Sequence, residues 1–385
     1  MEIKHICFIA GNYPTNEDPV YTFVRQLVCS VADLGIKCSV IAPQSITKNI
    51  IYRKLKRPYH WIDKSKKNFT IDIYQPSYIS FSNFKIFDAS LSNYFWCRAV
   101  INSFEKINLK PTLLYGHFWQ SGIAAAMIGE KYNLPVFVAS GESEIWVRDL
   151  YSPNVLSRYL EKVNGVICVS SKTMKENIDL NLTTKEKMVV IPNAIDRNVF
   201  YFEDKIKARK RLGFGEGVFI VAFTGAFINR KGVLRLSEAI SKAANVKSIF
   251  IGSGEQKPNV EGILFCGKLP HHKVVHYLNA ADVFVLPTLA EGCCNAIIEA
   301  MACGLPVISS DLSFNDEILS EQNSIRVNSN DINEIANAIR FLRDNPQERE
   351  KMSKASLEKA NELDIENRAK KIIHFIGKQI SQKNA

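Results

Sequence analysis

The feature that most constrains this chain is an alternation that runs through nearly all of it. Short apolar runs stop at Gly, Pro or Asn, and a segment with helical spacing follows each one. Strands are expected at 4–10, 36–42, 71–74, 112–115, 136–139, 166–169 and 188–191, with helices at 20–34, 89–106, 121–132 and 172–178. After a charged, Gly-bounded stretch at 200–217 the pattern restarts. Strands are expected there at 218–224, 247–251, 263–266, 283–286 and 307–309, and helices at 233–243, 273–279, 295–303, 332–343, 347–362 and 365–379. Runs that are apolar throughout suit strands covered on both faces, and strand–helix–strand succession is the signature of parallel pairing. At 385 residues the chain exceeds what one core supports. The reading is therefore an α/β chain of two doubly wound domains, 1–195 and 196–364, with a C-terminal helix at 365–385 that packs back on the first.

Composition removes several classes. No stretch reaches eighteen uninterrupted apolar residues, so no spanning helix is expected. The opening run Ile6–Ala10 leads to Gly11-Asn12-Tyr13-Pro14, which suits a buried strand and its turn better than a signal peptide. Nine cysteines form no C-x-x-C pair and no zinc spacing, which predicts free thiols and a cytoplasmic chain without a metal. Adjacent His271 and His272 share no helical face and are expected in solvent. The net charge of +10 is concentrated at 48–67, where Lys48, Arg53, Lys54, Lys56, Arg57, Lys64, Lys66 and Lys67 meet one acid, Asp63. Tyr52, Tyr59, Trp61 and Phe69 are interleaved. Two readings stand: a solvated surface, or peripheral docking on an anionic membrane face. No nucleic-acid motif accompanies the charge, so nucleic acid is not expected.

Chemistry concentrates in the second half. In Leu286-Pro287-Thr288-Leu289-Ala290-Glu291-Gly292-Cys293-Cys294-Asn295 a strand ends, a loop carries a carboxylate, and a helix begins. The amides of a helix's first turn have no intrahelical acceptor and sit at the positive end of its dipole, a natural cradle for phosphate. Glu299 lies about one turn further on. Two carboxylates on either side of a phosphate cradle suit a ligand with hydroxyls on both sides of its phosphates. Phe223-Thr224-Gly225-Ala226-Phe227-Ile228-Asn229-Arg230-Lys231-Gly232 places two cations at another strand exit, and Gly252-Ser253-Gly254-Glu255 is a third exit where a base or ribose could approach the backbone.

Glu291 followed by Glu299-Ala300-Met301-Ala302-Cys303-Gly304-Leu305-Pro306-Val307 is an E-x7-E motif, and with Lys231-Gly232, Gly252-Ser253-Gly254-Glu255 and Ala280-Ala281-Asp282-Val283 it resembles the family 4 (group 1) retaining glycosyltransferases of the GT-B fold. The resemblance implies two Rossmann-like domains facing across a cleft. The C-terminal one would bind a nucleotide diphosphate sugar and the N-terminal one a glycan or lipid-linked acceptor. It implies that Glu299 holds ribose hydroxyls and Glu291 meets the transferred hexose-type sugar. Gly225, Arg230, Lys231, Gly252, Gly254, Gly292, Cys293, Cys294 and Asn295 would hold the rest of the donor. His117, at the exit of the 112–115 strand, would face that sugar, and Gly11, Ser140, Gly141 and Glu142 would line the acceptor side. Two positions depart from the family pattern: Ala226 stands where arginine is frequent, which leaves the phosphate contact to Arg230, and Cys293-Cys294 replace an aromatic and a glycine. The expected enzyme is a metal-independent retaining hexosyltransferase of surface polysaccharide biosynthesis, with no cofactor beyond its donor substrate. An epimerase on the same scaffold and a non-catalytic membrane-associated protein are the alternatives.

Overall fold

A computed structural model describes residues 2–15, 20–81, 84–86 and 89–383, and the chain divides into two units, residues 1–191 with 368–385, and residues 192–367. In the first unit the strands are β1 (His5–Ile9), β2 (Lys37–Ile41), β3 (Gln44–Ser45), β4 (His60–Lys64), β5 (Thr70–Tyr74), β6 (Ser77–Tyr78), β7 (Lys85–Ile86), β8 (Ala89–Ser90), β9 (Leu113–His117), β10 (Val136–Ser140), β11 (Val163–Cys168) and β12 (Met188–Val190). The main sheet runs β12-β11-β10-β9-β1-β2-β5-β4, parallel except where β4 pairs antiparallel with β5. Two short pairs, β3 with β6 and β7 with β8, stand beside it.

Residues of β1 alternate between two cores. Ile6 and Phe8 pack with Leu27, Val28 and Val31 of the helix Thr22–Ala32, together with Ala369, Ile372 and Ile376 of the helix Ile365–Lys383. Cys7 and Ile9 pack on the other face with Trp96, Val100 and Phe104 of the helix Leu91–Ile107 and with Ile123 and Ala126 of the helix Phe118–Tyr132. The period-two alternation of a pleated strand thus explains why an uninterrupted apolar run is needed: both faces are covered. Gly165 on β11 is where Phe375 of the last helix comes close, 3.0 Å from where a Cβ would stand.

The second unit is built on β13 (Ile220–Thr224), β14 (Lys247–Ile251), β15 (Ile263–Gly267), β16 (Val283–Leu286), β17 (Val307–Ser310) and β18 (Ser324–Val327), in the order β15-β14-β13-β16-β17-β18 with every pair parallel. Counted from β13 this is the 3-2-1-4-5-6 order of a doubly wound sheet. The first unit repeats it, with β1 between β2 and β9. In such sheets the crevice opens where the order reverses, outside the carboxyl ends of the strands. Those points are β13/β16 in the second unit and β1/β9 in the first.

Several elements were not expected from the sequence. The edge strands β4 and β18 carry charged residues, and the helices Pro153–Leu160 and Lys205–Leu212 are largely polar. Among the described residues no helix is long and apolar enough to cross a membrane.

Candidate functional site

At the β13/β16 reversal two strand exits are tied together. The amide of Leu289, after β16, donates to the carbonyl of Arg230, after β13, at 2.8 Å. Gly232 has a positive φ of 77°, and a Cβ there would stand 2.5 Å from the Pro287 carbonyl, so only glycine permits this approach. The tie brings charge onto Glu291. Its Oε1 accepts from Lys231 Nζ at 2.5 Å, Arg230 Nη1 at 2.9 Å and Thr288 Oγ1 at 2.9 Å. Arg230 also donates to the Ala290 carbonyl. Burial opposes the charge on Lys231, but the Glu291 carboxylate that accepts from it outweighs burial and holds its pKa above the ordinary lysine value. Arg230 and Lys231, expected as phosphate ligands only, are thus also the partners that fix Glu291.

The helix Asn295–Ala302 begins without a side-chain cap, its Ncap being Cys294 in extended conformation. Its first amides are those no intrahelical carbonyl can take. Asn193 Nδ2 donates to the Cys293 carbonyl at 3.0 Å and steadies the loop before it. Gly292, Cys293 and Cys294 are buried, and burial pushes the Cys294 thiol up to about 11, so it stays protonated and unreactive. Asn295 Oδ1 and, at the end of β13, Thr224 Oγ1 are buried without a partner. Unsatisfied buried polar atoms are costly and mark places where a ligand could complete the bonding.

One turn into this helix Glu299 Oε1 meets His271 Nε2 at 2.9 Å. His271 is the first residue of the helix His271–Leu278, and its ring stands edge-on to Phe200 at 5.0 Å. Burial lowers its pKa, but the bond and charge of Glu299, with Asp196, raise it further and leave it above the usual histidine value. The expectation that His271 lies in solvent is therefore corrected: the fold of the β15–helix connection turns it onto Glu299.

The glycines of the third exit have a packing reason. A Cβ on Gly252 would stand 1.8 Å from the Gly225 carbonyl oxygen, and one on Gly254 2.3 Å from that of Phe227. Backbone bonds stitch the same loops together: Gly225 N to Ile251 O and Phe227 N to Ser253 O, both 2.9 Å.

In the first unit Gly11 follows β1 and His117 is the last residue of β9, the two strands at the reversal point. A Cβ on Gly11 would press the Tyr21 hydroxyl at 3.0 Å. His117 is 6% exposed, packed by Phe23 and Phe118, with Nδ1 buried and without a partner. Burial and then the nearby Arg368 charge push its pKa down to about 3, so the ring is neutral at physiological pH. Phe118, next in the chain, has a φ of 70°, a strained turn for a residue with a side chain. At the neighbouring exit Ser140 is fully buried, its hydroxyl accepting from Asn177 at 2.9 Å and donating to Glu142. The Ser140 hydroxyl is thus closed on its neighbours at the end of β10. Glu142 accepts the amides of Trp119 at 2.7 Å and Gly141 at 2.9 Å, capping the helix that follows His117, and burial pushes its carboxyl up to about 7. A Cβ on Gly141 would meet Val169 at 2.9 Å.

Sequence reasoning missed Thr288 and His271, which orient the two glutamates. Thr288 sits three residues before Glu291 and could have been suspected from that spacing. No local signal joins His271 to Glu299.

The chain is similar to known proteins over most of its length. A family model described as "Glycosyl transferases group 1" matches residues 218–345, and one described as "Glycosyltransferase Family 4" matches residues 20–199. A putative teichuronic acid biosynthesis glycosyltransferase, TuaC of Bacillus subtilis, is 28% identical over 358 residues, covering 87% of this chain and 88% of its own. The capsular polysaccharide biosynthesis glycosyltransferase CapM of Staphylococcus aureus is 26% identical over 195 residues, covering 46% of this chain and 51% of its own. Among solved structures, sucrose-phosphate synthase from Thermosynechococcus elongatus superposes with a TM-score of 0.77 at 20% identity, over 98% of this chain and 100% of that one. HepE of Anabaena, solved with UDP and glucose, superposes with a TM-score of 0.71 at 15% identity, over 97% and 100%. These likenesses give the GT-B fold, and the two family models between them span most of the sequence, so the chain belongs to the family 4, group 1 glycosyltransferases.

Proposed function

We propose that this glycosyltransferase moves a hexose-type sugar from a nucleoside diphosphate donor, with retention at the anomeric carbon, to a glycan or lipid-linked acceptor of a surface polysaccharide. The observation that carries the reading is the convergence of Lys231 and Arg230 on Glu291 at the reversal point of the second sheet, beside the start of the helix Asn295–Ala302. Two cations and one carboxylate leave a net positive charge where a diphosphate would sit. The uncapped helix amides add their dipole. As the sugar–phosphate bond breaks, charge grows on the leaving diphosphate, and donors already in place stabilise it without reorganising. Because these cations supply that role, the reaction needs no metal and no cofactor beyond its donor substrate.

Glu291, fixed through Oε1, turns its other oxygen to the transferred sugar, and Glu299, steadied by His271, takes the ribose hydroxyls. Asn295 Oδ1 and Thr224 Oγ1 find their missing partners in the donor. The first unit takes the acceptor, with a neutral His117 as a hydrogen-bonding group for the sugar. The biological setting is supported by the names of TuaC and CapM, and a nucleotide donor by the UDP and glucose of HepE. A cytoplasmic location agrees with nine cysteines that form no disulfide.

A thermal-shift panel of nucleotide sugars tests the reading. A matching donor at a hundred times its Kd stabilises the chain by about 2.7 kcal/mol. The Glu299→Ala variant keeps its own melting temperature near the parent's but loses that response. A variant that responds as the parent does would remove Glu299 from the donor site.

A further inference from the structure

The start of the helix Phe118–Tyr132 carries a strained residue and no cap of its own. Its Ncap is His117, whose side chain makes no capping bond, and its first residue, Phe118, has a φ of 70°. A residue with a Cβ keeps that left-handed turn only when its surroundings hold it there. The turn decides where two rings lie. Phe118 stands edge-on to His117 with centroids 4.9 Å apart, and both pack on Phe23. Nδ1 of His117 is buried without a partner, so the rings around it set its direction.

What holds the turn comes from the next strand exit. Trp119 follows Phe118, and its amide is one that no helical carbonyl can take. It donates instead to Glu142 Oε1 at 2.7 Å. Oε2 accepts the Gly141 amide at 2.9 Å and the Ser140 hydroxyl at 3.4 Å. The circuit closes on Trp119. Asn177, of the helix Ser171–Asp179, donates to the Ser140 hydroxyl at 2.9 Å and accepts the Trp119 indole N–H at 2.7 Å. The body of the helix Phe118–Tyr132 has no room to shift toward the sheet. A Cβ on Gly116 would collide with the Gly122 backbone, and one on Gly122 would stand 2.5 Å from Val138. Any slack therefore falls on residues 117 and 118.

We propose that Glu142 is a positioning residue for His117: by clasping the amides of Trp119 and Gly141 it holds the Phe118 turn, and with it the His117 ring. The inference rests on the reading of His117 as a hydrogen-bonding group for the sugar and adds what keeps that group in place. An ionised carboxyl only accepts. A proton turns one of its oxygens into a donor that faces other donors, and the clasp slackens. Burial pushes this carboxyl up to about 7, so the clasp responds to pH near neutrality. Of the groups around it, Tyr21 and the Cys168 thiol are pushed up by burial and His117 is pushed down, so all three stay neutral there. Lys172 and Glu176 pair with each other at 2.7 Å, and Glu144 is exposed.

An NMR titration of the full chain across neutral pH, following backbone amides and histidine rings, tests this. The Trp119 and Gly141 amide protons should titrate with one midpoint, and the His117 ring signals should move with the same midpoint although the ring stays neutral. In Glu142→Gln all three should lose the step. Phe118→Gly should keep the step at Trp119 and lose most of it at His117, because glycine adopts the left-handed turn without a clasp. A His117 ring that stays still while the Trp119 amide titrates would overturn the proposal, as would a Trp119 amide with no step. So would an undiminished His117 step in F118G, which would make it a direct effect of the carboxylate charge. The parent and F118G titrations decide the matter even where E142Q fails to fold. A chain that responds to a nucleotide sugar in the thermal-shift panel but shows no linked step loses the clasp alone. One with the linked step and no response to any donor loses the transferase reading.

Discussion

Asp282 and Glu291 lie nine residues apart in the second unit, each beside a lysine and an arginine, yet their surroundings differ. Asp282 Oδ2 accepts from Arg209 at 2.6 Å and from the Ile220 amide at 2.8 Å, and Oδ1 from Lys205 at 2.6 Å. Arg209, 3% exposed, spends its other N–H groups on the carbonyls of Ala280 and Glu216. Every one of these groups sits at the amino ends of β13 and β16, and each bond closes on the protein itself. Glu291 sits at the carboxyl ends of the same strands. Its three donors meet on one oxygen, Arg230 is partly in solvent, and the helix amides beside it have no intrahelical acceptor. The same three ingredients make a clasp at one edge of the sheet and a binding place at the other. What separates them is whether the polar groups are saturated.

The widest test of that contrast is Asp282→Ala. It strands a buried guanidinium and should cost about 3–5 kcal/mol of stability, read from urea unfolding. A loss below about 1 kcal/mol would erase the difference between the two clusters. Lys231→Ala should do the reverse. We expect kcat to fall by about 10²–10³-fold, the scale for removing one preorganised donor, with less loss of stability than Asp282→Ala causes; equal destabilisation in both would make Glu291 a second clasp.

The smallest expected effect concerns pH. His271 has its pKa raised in the folded chain, so its contribution is fully present below the ordinary histidine value near 6.5 and is lost as pH rises through the folded value. Parent stability should therefore drop more steeply than that of His271→Asn above about pH 6.5. Parallel curves for the two would mean that the Glu299–His271 bond adds nothing specific to the charged form.

Much of this was legible beforehand because buried parallel strands announce themselves. Residues 247–251 and 283–286 are apolar runs with Gly or Pro at their ends, and they fold as β14 and β16 with those bounds. The helix Val233–Ala243 likewise follows its apolar spacing. Polar edges hid the rest. In β18 Arg326 pairs with Asp311 and Asp316, a side chain that argues against a strand until its partners are known. The helix Lys205–Leu212 shows almost no apolar face because one of its buried residues is Arg209 itself. In the candidate site the glutamates and Lys231 stood out through their spacing. His271 did not, since its bond to Glu299 joins residues 28 apart through two different connections. The strand-exit position of Ser140 is visible in sequence, whereas the bond that Asn177 makes to its hydroxyl is not.

The last helix carries a consequence for how the chain is made. Ala369, Ile372, Phe375, Ile376 and Ile380 complete a core whose other members lie before residue 192. Between them, Ile195 and Asp364 pair as neighbours, so the second unit begins and ends at one place, like a bead threaded into the first. During synthesis the bead has all its residues while its host still lacks the final seal. Until residues near 380 emerge, the inner face of the helix Thr22–Ala32 remains partly bare, and truncation within the turns of the helix Ile365–Lys383 would expose that apolar surface.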